Sequence, residues 1–162
     1  MSRGGRPARR PSASAQRLEL LAFVEGLRTE ELYLTYWHRR YRDRVNVTID
    51  EFRGGPLQLV RHAVDAKKQE AQDEKRGRGR AHDEIWCVFD VDEHPNMPEA
   101  AQLARQHGIN LAVSNPCLEL WFILHFENCS TYIDRKDAQR RSRDLLNCDK
   151  VLTLRFKVAV RG

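Results

Sequence analysis

The sequence predicts an α/β fold, a mainly parallel sheet of about four strands flanked by helices. Three observations predict it. Short apolar runs of strand length alternate along the chain with stretches of helical length and periodicity. One run, residues 85–89 (Ile-Trp-Cys-Val-Phe), is apolar without alternation, which suits a strand buried on both faces. Glycine, proline and small polar residues fall at the junctions between runs. The order strand-helix-strand-helix-strand-helix-strand then implies parallel strands joined by right-handed crossovers.

Residues 18–24 (Leu-Glu-Leu-Leu-Ala-Phe-Val) read as the first buried strand. Gly26 permits a tight turn out of it. Thr29 is a plausible N-cap, and Glu30 and Glu31 suit the positive end of a helix that runs to about residue 44. Tyr33, Trp37 and Tyr41, with Leu34, make its apolar stripe. Such a stripe serves as core or as a platform for stacking bases, and its spacing favours core. Residues 45–52 alternate as a second strand. Gly54-Gly55-Pro56 breaks the pattern, with Pro56 as first helical residue. The next helix buries Leu57, Val60, Ala63 and Val64, then decays into a charged tail over residues 67–80. The tail ends in Arg76-Gly77-Arg78-Gly79-Arg80, read as a mobile solvated linker or a phosphate-contacting loop through Arg78 and Arg80.

Residues 85–89 are the third strand. Pro98 opens a helix through His107 that Gly108 closes. Residues 109–113 are the fourth strand. Ser114-Asn115-Pro116 reads as a helix start, with Ser114 or Asn115 as cap, leading into the most apolar segment, residues 117–126. A polar, Arg-rich helix is expected over residues 131–149, anchored by Leu145 and Leu146, and residues 151–160 alternate as a closing strand.

A chain of 162 residues is most simply one domain with a real core. No apolar run approaches the roughly 20 residues that span a bilayer, and no signal-peptide core is present, so a cytoplasmic location without membrane attachment is expected. Cys87, Cys117, Cys129 and Cys148 show no zinc-type spacing and read as reduced thiols. The net charge of +5 sits unevenly. Five arginines (Arg3, Arg6, Arg9, Arg10, Arg17) precede Glu19, and the remaining basic residues equal the 23 acidic ones. Residues 1–17 are therefore a disordered Arg-rich arm, able to touch phosphates or simply to solubilise the chain.

The chemistry is expected at Asp90 and Asp92. Alternate residues at a strand end point the same way, and ligands of open α/β sheets bind at the carboxyl ends of strands. Two such acids repel unless a proton or cation lies between them, and the fitting cation is Mg²⁺ or Mn²⁺. The alternative is a solvated loop. Glu25 follows the first strand and can converge on the same rim. Glu119 is an acid in apolar company, either held by helix N–H groups or acting as a further ligand or base. His125 is a further candidate, set against a packed or surface histidine.

A glutamate after one strand with Asp-x-Asp after a later one resembles the Toprim arrangement of topoisomerases, primases and OLD-type nucleases. Val24-Glu25-Gly26-Leu27-Arg28-Thr29-Glu30 resembles the glutamate loop of RloB-like proteins. Trp86-Cys87-Val88-Phe89-Asp90-Val91-Asp92 fits their middle block. Ser114-Asn115-Pro116-Cys117-Leu118-Glu119-Leu120-Trp121-Phe122-Ile123-Leu124-His125-Phe126 is similar to their second signature and is the most specific part. The resemblance covers residues 18–150; residues 151–162 depart from it and look like an atypical, truncated tail. It implies a Toprim-like fold and a bacterial, Mg²⁺-dependent nuclease of anti-phage or abortive-infection defence, often encoded beside a partner ATPase. Glu25, Asp90 and Asp92 would hold one or two Mg²⁺ ions, Glu119 would complete the shell of a second ion, and Arg28 would clamp a phosphate of DNA or RNA. The rival expectation is a non-catalytic nucleic-acid or nucleotide binding module that regulates a partner ATPase.

Overall fold

The computed structural model describes residues 16–26, 28–91 and 95–147. The elements are β1 (Leu18–Val24), α1 (Thr29–Arg40), β2 (Val45–Ile49), α2 (Pro56–Lys75), β3 (Glu84–Asp90), α3 (Met97–His107), β4 (Asn110–Ser114), α4 (Glu119–Leu124) and α5 (Arg135–Leu146). The four strands form one sheet in the order β2-β1-β3-β4, with every pairing parallel. This is the expected α/β architecture, of Rossmann-like kind. From β1 the chain moves outward to β2, then returns past β1 to β3 and on to β4. The reversal falls between β1 and β3, and such a reversal opens a crevice at the carboxyl ends of the two strands.

Packing follows the two-residue repeat of the strands. Leu21 and Phe23 of β1 and Ile85, Cys87 and Phe89 of β3 join Leu59, Val60 and Ala63 of α2 and Ala100 and Ala104 of α3 in the main core. The alternate residues Ala22, Val24 and Val88 are buried on the other face. A second layer joins Tyr33, Tyr36 and Trp37 of α1 to Trp121 and Phe122 of α4 and Leu146 of α5. The α1 stripe is therefore packed, with Tyr33 meeting Phe122 edge-on at 5.4 Å between ring centres.

Several boundaries differ from the sequence reading. Helix α2 continues through residues 67–75, which read as a charged tail. Those residues are mainly Lys, Gln, Glu and Ala, all strong helix formers, and Gln69 donates to Asp73 one turn on at 3.0 Å. Only the apolar stripe is lost there, because this end leaves the sheet. Strand β2 stops at Ile49, since the Asp50 carboxylate accepts from Phe52 N at 2.7 Å and turns the chain. Helix α1 is capped at Arg28 rather than Thr29 and ends at Arg40. Neither Ser114 nor Asn115 caps α4: Ser114 pairs with Asp90 as the last residue of β4, a cis Asn115–Pro116 peptide follows, and α4 begins only at Glu119. Helix α5 is shorter than expected because Asp134 caps it, accepting from Asp137 N at 2.9 Å. Gly108 closes α3 in the left-handed conformation as expected, at φ 62°.

Among the described residues no helix is long and apolar enough to cross a membrane. Cys87, Cys117 and Cys129 are free thiols. Burial pushes Cys87 up to about 12, and it does the same to Cys117, helped by the neighbouring Glu119 carboxylate. Neither thiol is a nucleophile at neutral pH. Residues 1–15 of the arm, Asp92, Cys148 and the expected closing strand at residues 151–160 lie outside the described residues.

Candidate metal centre

The crevice between β1 and β3 is built by their register. Val24 pairs with Val88, and Glu25 carries the ladder one step further, donating from its N–H to Val88 O at 3.1 Å. That step delivers the Glu25 side chain to the end of β3, where Oε2 accepts from Asp90 N at 3.3 Å. Glu25 and Asp90 thus meet, as the sequence reading requires. Asp92 lies outside the described residues.

Two further acids crowd the same rim. Glu30, in the first turn of α1, is 9% exposed. Burial raises its pKa above the ordinary glutamate value; its own backbone N–H opposes the rise, the charges of Glu119 and Glu25 add to it, and Arg53 pulls it back. Glu119, at the start of α4, and Asp90 both act on the Cys117 thiol. Glu25, Glu30, Asp90 and Glu119 therefore form one electrostatic neighbourhood. The sequence reading took Glu30 as a helix-end acid and Gly26 as a turn residue. In the structure they are one feature: a Cβ on Gly26 would overlap the Glu30 carboxylate, so the glycine makes room for it. The signal was a glycine in the turn that leads into the acidic first turn of α1, where a residue without Cβ leaves room for a returning side chain.

The raised Glu30 pKa has a testable sign. The folded chain holds this proton more tightly than the unfolded one, so the contribution to stability is fully present below about pH 4.3 and is lost as pH rises through the folded value. Glu30→Gln cannot ionise. Urea midpoints without divalent cations should show the variant gaining on wild type as pH rises from about 4 to 8. A pH-independent difference would mean that Glu30 is not buried as a titrating acid.

Arg135, the first residue of α5, also reaches the centre. Its Nη2 lies 3.2 Å from Asp90 Oδ2 and 3.5 Å from Pro116 O. The sequence reading placed Arg135 only in a polar helix. The available signal was its position: Arg135 and Lys136 in a first helical turn oppose the helix dipole, and such cations call for another partner. Ser114, the ladder partner of Asp90, is 1% exposed, and its Oγ has no hydrogen bond.

The other sequence candidates lie elsewhere or at the margin. Arg28 is exposed at the α1 N-cap, close to Glu25 along the chain. Arg78 pairs with Asp73 at 2.5 Å, and Arg80 with Asp83 at 2.7 Å. Both precede β3, at the opposite end of the strand from Asp90, a separation of roughly 20 Å at strand rise. They do not contribute to this centre. His125 accepts or donates at 3.1 Å to Tyr33 Oη and lies against Trp37 at the exposed edge of the aromatic layer, where partial burial lowers its pKa.

The donor chemistry suits a hard divalent cation. The site offers carboxylate oxygens, and its one thiol stays protonated. Among the described residues no three acidic, thiol or imidazole groups are already closed around an ion position. Glu25 and Asp90 supply two donors, and Asp92 is the sequence's third.

The family model of RloB-like proteins matches residues 20–157. The chain belongs to the RloB-like family. The match covers Glu25, Asp90 and Glu119 and carries beyond residue 150, into the segment that the sequence reading set apart. No curated protein and no solved structure matches the chain.

Proposed function

We propose that this RloB-like chain is a Toprim-type nuclease that hydrolyses phosphodiester bonds of DNA or RNA with Mg²⁺ or Mn²⁺. The observation that carries the reading is the meeting of Glu25 and Asp90 at the sheet reversal, with Oε2 3.3 Å from the Asp90 N–H. Membership of the family supports the associated role in bacterial anti-phage, abortive-infection defence beside a partner ATPase. Glu25 and Asp90, with Asp92, would hold the ion, and Glu119 would extend the set. When bound, the ion would lower the pKa of a coordinated water and offset charge on the phosphate. The chain's own residues orient the reaction. The β1–β3 ladder fixes both carboxylates, burial keeps Glu30 inclined to hold a proton, and exposed Arg28 can take a phosphate oxygen at the rim.

The test is cleavage of plasmid, single-stranded DNA and tRNA with and without Mg²⁺ or Mn²⁺. Wild type should cut at least one of them only with the ion, and Mn²⁺ should raise its melting temperature. Glu25→Gln should lose both effects while keeping its circular dichroism. Cleavage that survives Glu25→Gln unchanged, or a wild-type melting temperature indifferent to Mn²⁺, refutes the reading. Metal-independent nucleic-acid binding without cleavage would instead indicate a module that regulates a partner.

A further inference from the structure

The Asp90–Arg135 pair sets a problem for any cation at this centre. The guanidinium lies 3.2 Å from Asp90 Oδ2, on a carboxylate the ion needs. Asp90 is 15% exposed and Arg135 39% exposed at the side chain, so the arginine is the more solvent-accessible partner of the pair. Both charges cannot use the same oxygen well: an ion and a guanidinium on one carboxylate repel each other. Arg135 is held from α5, an element separate from the sheet, whereas Asp90 is fixed in the β3 ladder. A change of partner by the Arg135 side chain therefore leaves the sheet intact. Its planar fork matches a phosphate as well as it matches a carboxylate.

We propose that Arg135 changes partner during binding, neutralising Asp90 before the cation arrives and holding a phosphate oxygen of the nucleic acid afterwards. This rests on the nuclease reading above and adds the order of events to it. Cation and nucleic acid then bind with positive coupling, because each releases the other's competitor, and the coupling is reciprocal. Arg135 is a positioning residue with opposite effects on the two ligands, which a purely structural arginine would not show.

The experiment titrates the full chain with Mn²⁺ by calorimetry. It also titrates, by fluorescence anisotropy in non-catalytic Ca²⁺, a labelled oligonucleotide of whichever nucleic acid wild type cuts. Arg135→Gln should bind Mn²⁺ about two- to fivefold more tightly, the scale of a partly exposed ion pair released. It should bind the oligonucleotide about tenfold more weakly, the scale of one lost charge-assisted hydrogen bond. Arg135→Lys keeps the charge without the fork and should show smaller changes in the same directions, which guards against misfolding of the glutamine variant. Mn²⁺ affinity unchanged or weaker in Arg135→Gln overturns the proposal. Tighter Mn²⁺ with unchanged oligonucleotide binding also overturns it, leaving a fixed counter-charge. Should wild type itself bind no Mn²⁺, the metal reading fails first, and that result is distinct from either outcome.

Discussion

Asp90→Asn should bring ion-dependent cleavage down by more than about 100-fold, since even partners behind metal ligands commonly cost 10- to 100-fold when removed. The amide keeps the shape of the side chain and a carbonyl oxygen near Arg135, but it loses the charge that the guanidinium pairs with and that the proposed cation would need. The fold should survive, because the strand is held by its ladder with β1 and β4 rather than by this side chain. Single-turnover cleavage at saturating Mg²⁺, alongside a urea melt, separates the two effects. A variant that cuts within about threefold of wild type would remove Asp90 from the chemistry, the difference being under about 1 kcal/mol of barrier.

Phe23→Ala should cost about 3–5 kcal/mol of stability, a large share of the roughly 5–15 kcal/mol that holds a domain of this kind. Phe23 is 0% exposed, lies between the sheet and α2, and meets the His62 ring edge-on at 5.6 Å. Nothing nearby can collapse easily into the space, because Leu59, Val60 and Ala63 are fixed on a long helix and are themselves wholly buried. The urea midpoint measures the loss. A change below about 1 kcal/mol would mean that the β1–α2 face is not a packed core. Phe23 also lies near the end of the β1 ladder, just before Val24 and Glu25, so a loosened variant should lose Mn²⁺ stabilisation as well.

The sheet was legible because its strands are bounded runs of fixed composition, and parallel pairing follows from what lies between them. Glu25 and Asp90 were legible for the same reason: each ends an apolar run, and a parallel sheet brings such ends together. The extent of α2 was not, because a solvated helix carries no apolar stripe, and the reading depended on that stripe. The start of α4 was misplaced because Ser114, Asn115 and Pro116 are cap-type residues, yet the ladder with β3 claims Ser114 first. Arg135 and Glu30 escaped for a different reason. Neither sits at the end of a strand, and each matters only through a partner, Asp90 or Gly26, that sequence distance or a conventional turn reading concealed.

The fit of the Glu30 carboxylate into the space over Gly26 makes those two positions conditional on each other. A side chain at position 26 is compatible with this backbone only if the Glu30 carboxylate moves out of its place or position 30 is shortened, whereas shortening position 30 alone leaves a hole beside the acids. In a library of random variants the pair should behave as one heritable unit, with single changes selected against and a compensated double change recovered. The glutamate loop is in that sense a two-letter word, one letter in the turn and the other in the helix that follows it.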